Sequence, residues 1–388
     1  MANKLTFDQA VVLMKATLDQ MKGVTPVEEI NSGNFVSVGQ TMLQAGYDPL
    51  LNAISVVLGK TYFSIRPYKS KFDSLYVDEA RWGIYARKLT VVDKDPKNND
   101  EYFPENGAGI DMYAIDKTIV LQLNFYGGDT YSRDLVIWKN QLDLAFTDPQ
   151  ELTRFWSMLY QNLDDMVEQD REAQARLAII NFIAGKAKGD ADNVIHLVQV
   201  YNDETGLDLT AETVRQPDNW KNFVLWALAY IKTLSDMMAE RSQKFHINVD
   251  GKPVQRHTPL DRQAVYLLAK EGNAIDTRVM SQSYHDDYLK KVDFKTVGFW
   301  QSIDTPARIQ AKPTYLKSDG ALETAAEAFT GDVFGVIFDK EAIVCALINE
   351  WSAVTPMNAR GGYSVRWDHY TCRWMNDFTE NGVVLMLD

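Results

Sequence analysis

The chain has 388 residues, 46% hydrophobic and 24% charged, proportions that belong to a folded protein with one large core or two linked ones. Its formal charge of −13 argues against the broad phosphate neutralisation on which non-specific nucleic-acid affinity rests. No apolar run approaches the ~20 residues that span a bilayer, and the start Met-Ala-Asn-Lys-Leu-Thr has no apolar core with a small-residue cleavage site. A cytoplasmic setting follows, in which Cys345 and Cys372, each in an apolar stretch, read as buried reduced thiols.

Thr6 with Gln9 three residues later forms a capping box, and Phe7, Ala10, Val11, Met14, Leu18 and Met21 then recur at helical spacing. One stripe is a poor core. With the Asn-, Ser- and Gly-rich stretch 31–39 read as a spacer, residues 1–45 form an N-terminal arm that docks elsewhere, another subunit being one candidate. Asp48-Pro49 caps a short helix running to Gly59. The period then changes to two, with strands expected at Thr61 to Arg66, Trp82 to Val92, Lys117 to Phe125 and Leu135 to Trp138. The polar excursion from Asp93 to Gly109 exceeds a hairpin turn, so 60–130 reads as an extended β-arm.

Asp148, Pro149 and Glu151 mark the strongest helix start in the chain. Leu152, Phe155, Trp156, Leu159, Leu163, Met166 and Val167 form its apolar stripe, continued through Ala173, Leu177 and Ile180, while Asp164, Asp165, Glu168 and Asp170 face away. A helix over about 148–184 is roughly 50 Å long. A second apolar helix is expected over Asn219 to Arg241, a third from the Thr258-Pro259-Leu260-Asp261 cap to Gly272, and another over Ser283 to Lys291. Short strands at Phe245 to Val249 and Thr277 to Met280 make 191–325 a mixed α/β region.

Residues of catalytic type are scattered. His196, His246, His257, His285 and His369 lack metal-site spacing, and His369 and Cys372, three apart in a strand, point to opposite faces. The neighbours Asp164-Asp165 and Asp286-Asp287 diverge by about 100° on a helix and cannot flank one bond. Gly107-Ala-Gly109 has no following lysine-serine pair, Gly127-Gly128 reads as a turn, and no Gly-x-Ser-x-Gly elbow occurs. No catalytic residue, cofactor site or metal site is assigned. Tyr62, Arg66, Tyr68, Lys69, Lys71, Arg81, Trp82, Tyr85 and Arg87 interleave aromatics with cations. Such a patch can bind a polyanion by stacking. In an acidic chain it fits better as a subunit contact against a neighbour's acidic helix, with Arg66, Lys69, Arg81, Trp82 and Arg87 as its candidate residues.

The stretch from Gly331 to Leu387, near the C-terminus, carries the β-rich run Val333 to Phe338, the polar Asp339-Lys340-Glu341, an apolar segment Ala342 to Val354, and the turn Asn358-Ala359-Arg360-Gly361-Gly362. Tyr363 to Trp374 follows, with Tyr363, Val365 and Trp367 on one face, and Val383 to Leu387 completes a meander. This succession resembles the end of the major coat protein of small short-tailed bacteriophages, and the β-arm followed by a long helix resembles the same family in order. The resemblance implies the α+β (mixed α/β) coat fold shared by tailed phages, herpesvirus shells and encapsulins. Its parts here are an N-terminal arm (1–45), an extended β-loop (60–130), a peripheral domain (131–190 and 326–388) with a spine helix, and an axial domain (191–325). It further implies self-assembly as hexamers and pentamers into an icosahedral shell that encloses double-stranded DNA without sequence-specific binding. A separate scaffolding protein and a portal are the expected partners, a virion assembled in host cytoplasm is the product, and Arg360 has a structural role at the turn. An encapsulin-like nanocompartment shell and, from another class, an acidic α/β enzyme remain as alternatives.

Overall fold

The computed structural model describes residues 7–21, 30, 34–44, 70–78, 85–94, 113, 117–126, 128–138, 149–189, 191–274, 294–357 and 363–387. The expected helix at 48–59, the strands at 61–66 and 277–280, the helix at 283–291, most of the 93–109 excursion and the 358–362 turn lie outside these residues.

The helices are α1 (Phe7–Gln20), α2 (Phe35–Gln44), α3 (Pro149–Gly189), α4 (Leu197–Thr205), α5 (Ala211–Val214) and α6 (Pro217–Ala239). The strands, in chain order, begin with β1 (Tyr76–Asp78), β2 (Tyr85–Val91), β3 (Val120–Tyr126), β4 (Asp129–Trp138), β5 (Val194–His196), β6 (Gln263–Leu268) and β7 (Phe294–Val297). They continue as β8 (Arg308–Ala311), β9 (Thr314–Leu316), β10 (Leu322–Thr324), β11 (Phe329–Asp339), β12 (Ile343–Met357), β13 (Tyr363–Asn376) and β14 (Gly382–Met386). The mixed α/β class is the expected one.

The long helix is the frame. At 41 residues it is about 60 Å long, opening at the predicted Pro149 and continuing past the expected end near 184 to Gly189. Its C-terminal half is buried along Ala175, Ala178, Ile179, Phe182, Ile183 and Lys186. The stripe extrapolated through Ala173 and Leu177 is therefore displaced, and both residues are exposed, because the true face advances with the 3.6-residue turn. Glu168 and Asp170 also turn inward rather than away. Glu168 is buried beside Arg171, and Asp170 accepts from Arg133 of β4 and from the Tyr370 hydroxyl of β13 (3.0 Å). Helix α1, with Met14, Leu18 and Met21 buried, lies against α3 of its own chain. The spacer read at 31–39 is in part helical, since α2 starts at Phe35 with Val38 and Met42 buried.

The central sheet has the order β5-β14-β11-β6-β7, with β8 beside β11. It is covered on both faces, and the pleat, interrupted by a register shift between Val333 and Gly335, sorts its residues. Tyr266, Leu268, Val336, Phe338, Val384 and Met386 pack towards α3, whereas Val265, Leu267, Phe334, Ile337, Val383 and Leu385 pack towards α4 and α6. This explains why 258–272 does not form the helix its cap suggested. The Ala264-Val265-Tyr266-Leu267-Leu268 run is apolar on both sides, and burial between β11 and β7 overrides the local cap signal. Apart from a single 3-10 turn at Leu260–Arg262, only 269–274 is helical among the described residues. Gly335 is required in this sheet, because a Cβ there would stand 2.9 Å from the Tyr266 carbonyl oxygen. The 245–249 stretch is likewise no strand: it is irregular, with Phe245 at φ +72°, and its backbone serves the turn described below.

The four C-terminal strands form at the expected places but not as one meander. β11 and β14 pair within the central sheet, while β12 and β13 form a hairpin, registered from Ile343↔Asn376 to Met357↔Tyr363, in a separate sheet of order β1-β12-β13-β4. Cys345 and Cys372 are buried thiols in that hairpin, and burial pushes the Cys345 thiol up to about 12. β2 and β3 form a two-stranded ribbon of their own.

Candidate functional site

Among the described residues the β2–β3 ribbon joins no larger sheet, so alternation gives it two distinct faces. Arg87, Leu89 and Val91 stand opposite Asn124, Gln122 and Val120 on the outward face, where Leu89 and Val91 are each 57% exposed, Val120 53% and Tyr126 67%. An apolar strip of this kind with a cation at its side is the composition of a contact surface.

The inward face is polar at the key position. Lys88 Nζ donates to Asp377 Oδ2 (2.8 Å) and Glu380 Oε1 (2.5 Å), and stands 3.9 Å from Glu341. Both principal acceptors belong to the turn 377–381 between β13 and β14. That turn forms because Asp377 Oδ1 accepts from the Thr379 amide (2.9 Å) and hydroxyl (2.6 Å), an Asx-type closure. Arg256 reaches the same Glu380 and also donates to Thr90 Oγ1 of β2 (3.2 Å). Burial alone would lower the Lys88 pKa, but Asp377 and Glu380 outweigh it and the net direction is up. Burial alone would raise Asp377, and Lys88 with the Thr379 hydrogen bonds brings it below the usual carboxylate range. The pair is charged on both sides.

Beneath the turn, α3 supplies a second cation. Lys186 is fully buried and donates to the carbonyl oxygens of Phe378 (3.0 Å), Glu380 (3.0 Å) and Phe245 (3.3 Å). Helix and turn can approach this closely because position 185 is glycine, where a Cβ would lie 2.5 Å from the Phe378 ring. His246 bonds Asn381 Oδ1 (3.0 Å) and the Val254 carbonyl (2.8 Å). Burial holds its pKa down, with Lys186 and Arg256 acting in the same direction. The hub thus ties together the ribbon, the long helix, the C-terminal turn and the 242–258 segment. Among the described residues no group of His, Cys, Asp or Glu could hold a metal ion, and no helix is long and apolar enough to cross a membrane.

Of the contact residues expected from sequence, Arg87 is on the outward face of β2, while Arg66, Lys69, Arg81, Trp82 and Arg360 lie outside the described residues. Sequence reasoning missed Lys88, Arg256, Asp377, Glu380 and Lys186. The one available signal was the dense Asp-x-Thr-Glu-Asn run before Gly382, which marks a tight turn without revealing which cations it meets.

The description "Phi29-like phage major capsid protein" matches residues 13–386. No curated protein matches the sequence. Among solved structures, the chain is similar to one in the capsid structure of Staphylococcus phage Andhra, at 11% identity and a TM-score of 0.54, over 84% of this chain and 87% of that one. It is also similar, at 10% identity and a TM-score of 0.56, to a chain in the structure of the head fiber and inner core protein gp22 of native bacteriophage P68, with 84% and 87% covered. At such identities the structures establish a shared fold.

Proposed function

The chain belongs to the Phi29-like phage major capsid protein family, and from that premise we propose how this shell-forming structural protein assembles. The subunit joins copies of itself as pentamers and hexamers into a closed icosahedral shell of a short-tailed phage, around packaged double-stranded DNA. A separate scaffolding protein and a portal take part, and assembly occurs in host cytoplasm. No catalysis and no cofactor is involved. In this reading residues 1–45 are the arm, 60–130 the extended loop, 131–190 with 326–388 the peripheral domain and 191–325 the axial domain. The acidic balance of −13 suits a wall that repels DNA and lets it slide during filling.

The observation that carries the reading is the outward strip Leu89, Val91, Val120 and Tyr126 with Arg87 beside it. A strip that no part of its own subunit covers among the described residues fits a contact laid over a neighbour. Arg66, Lys69, Arg81 and Trp82 extend the same contact, towards the acidic side of a neighbour's long helix, and Arg360 supports the hairpin turn. The phage family match favours a genome over the protein cargo of an encapsulin-like shell.

Sedimentation velocity with negative-stain microscopy on the purified chain, alone and beside a candidate scaffolding protein, tests the proposal. Rings of five or six subunits or closed particles are expected. A compact monomer under every assembly condition overturns it.

A further inference from the structure

Two ionic clasps, together with the hydrogen bond from Arg256 to Thr90 Oγ1 (3.2 Å), join the β2–β3 ribbon to the rest of the subunit among the described residues. One is Lys88 on Asp377 and Glu380. The other lies just beyond β2, where Asp93 accepts from Arg241 Nη2 (2.8 Å) and from the Gln255 amide (2.5 Å). Between the clasps the seam is not packed: Leu121 and Leu123 of the ribbon face Ile247, Val254 and Leu316 across a cavity of about 110 Å³. The contrast with the central sheet, filled on both faces, is mechanical. Opening a packed apolar seam exposes its whole area to water at roughly 25 cal/mol per Å². A seam that is already hollow exposes little more when it opens, so its resistance is set by the charges that close it.

We propose that the ribbon is a hinged arm locked to the body by these two clasps, and that the lock releases without unfolding the sheet sandwich behind it. The charged and titratable groups around the lock come from every adjoining element. Asp377 and Glu380 belong to the C-terminal turn, Glu341 to the β11–β12 connection, Arg241, His246 and Arg256 to the 241–256 stretch, and Lys186 to α3. Two of the elements, the turn and α3, are pinned to the central sheet, so release moves the ribbon and leaves the body in place. The inference does not depend on the ribbon being the arm between subunits, since it concerns a single chain.

Thiol labelling of the soluble full-length chain tests it. Leu123→Cys places a reporter beneath the ribbon, and Leu121→Cys gives a second in case the first variant folds poorly; the native thiols are buried. Adding Lys88→Met and Asp93→Asn is expected to speed maleimide labelling of the reporter by about tenfold or more, the scale of losing partly buried ion pairs. Raising salt should speed labelling in the protein with intact clasps, because the Asp93–Arg241 pair is partly exposed. Hydrogen exchange of 333–338 and 382–386 should not change. Labelling at the rate of the clasp-intact protein overturns the inference. So does faster labelling accompanied by an equal loss of protection in the central strands, which is general unfolding and not a hinge.

Discussion

Lys88→Met, Asp377→Asn and the double variant form a cycle whose outcome depends on whether the ribbon's anchor is a true ionic coupling. The side chains of Asp377 and Glu380 are 2% and 9% exposed, and that of Lys88 26%. Removing one member of a buried pair typically costs about 3–5 kcal/mol, because the other charge is left without its counter-charge. The cost here is smaller, since Asp377 keeps both Thr379 hydrogen bonds and Glu380 keeps Arg256, and Lys88 is a quarter exposed. About 2–3 kcal/mol is expected for Lys88→Met. Asp377→Asn should cost about 1–2 kcal/mol, and the double variant little more than Lys88→Met alone, giving a coupling of roughly 1.5 kcal/mol. Urea denaturation of the unassembled chain, followed by tryptophan fluorescence, measures all three. The Asp377 contribution is fully present above the unfolded carboxylate value near 3.8 and is lost as pH falls through its lower folded value. The Lys88 contribution is fully present below 10.5 and is lost as pH rises through a folded value above that. The coupling should therefore be flat from about pH 5 to pH 10. Additivity within about 0.5 kcal/mol at neutral pH would refute an ionic anchor.

Leu89→Glu changes a residue 57% exposed in the subunit, so stability should move by no more than about 0.5 kcal/mol while particle formation, read by sedimentation, is lost. His246 is held neutral by burial, so its unfolded form takes up protons at higher pH than the folded form does. Stability should fall as pH drops through about 6.5, and His246→Gln should flatten that slope in denaturation curves collected from pH 5 to pH 7.5. Cys345, pushed up to about 12, should resist thiol reagents at pH 8 in the folded chain and react once urea unfolds it.

The parts of this fold legible in sequence are those whose signals are local. Asp148-Pro149 and an apolar period located the long helix, and β-branched and aromatic runs located all four C-terminal strands. Sheet membership was not legible, because β11 and β12 are adjacent in sequence and similar in composition yet belong to different sheets. Partners far off in the chain, Gln263–Leu268 for the first and Tyr76–Asp78 for the second, help to distinguish them. The 258–272 error has the same origin: a genuine cap signal lost to burial on two faces. The candidate site shows the limit most sharply. Arg87 and Lys88 are neighbours of like charge, and composition favoured the first as a contact. Strand alternation sends one outward and the other into a cluster whose acids are 289 and 292 residues away.

That separation also bears on how the subunit can serve a shell. A wall must be stiff where subunits bear load and adjustable where an arm meets neighbours at more than one angle. The long helix and the two-faced sheet provide stiffness by dense apolar packing, which deforms only at the cost of voids or strain. An arm attached by the same means would share that stiffness, and an arm attached by an open linker would have no preferred angle. Attachment by a few directional ion pairs over a hollow seam lies between these limits. It fixes one geometry in the free subunit, yet it can be broken and re-formed without disturbing the core, since the anchoring turn is itself held from below by Lys186. On this view Lys186→Met should damage more than Lys88→Met. It removes the donor beneath three carbonyl oxygens and loosens the base on which the lock is mounted, so both ribbon labelling and central-sheet exchange should rise together. If Lys186→Met instead released the ribbon alone, the turn would not be the fixed side of the joint.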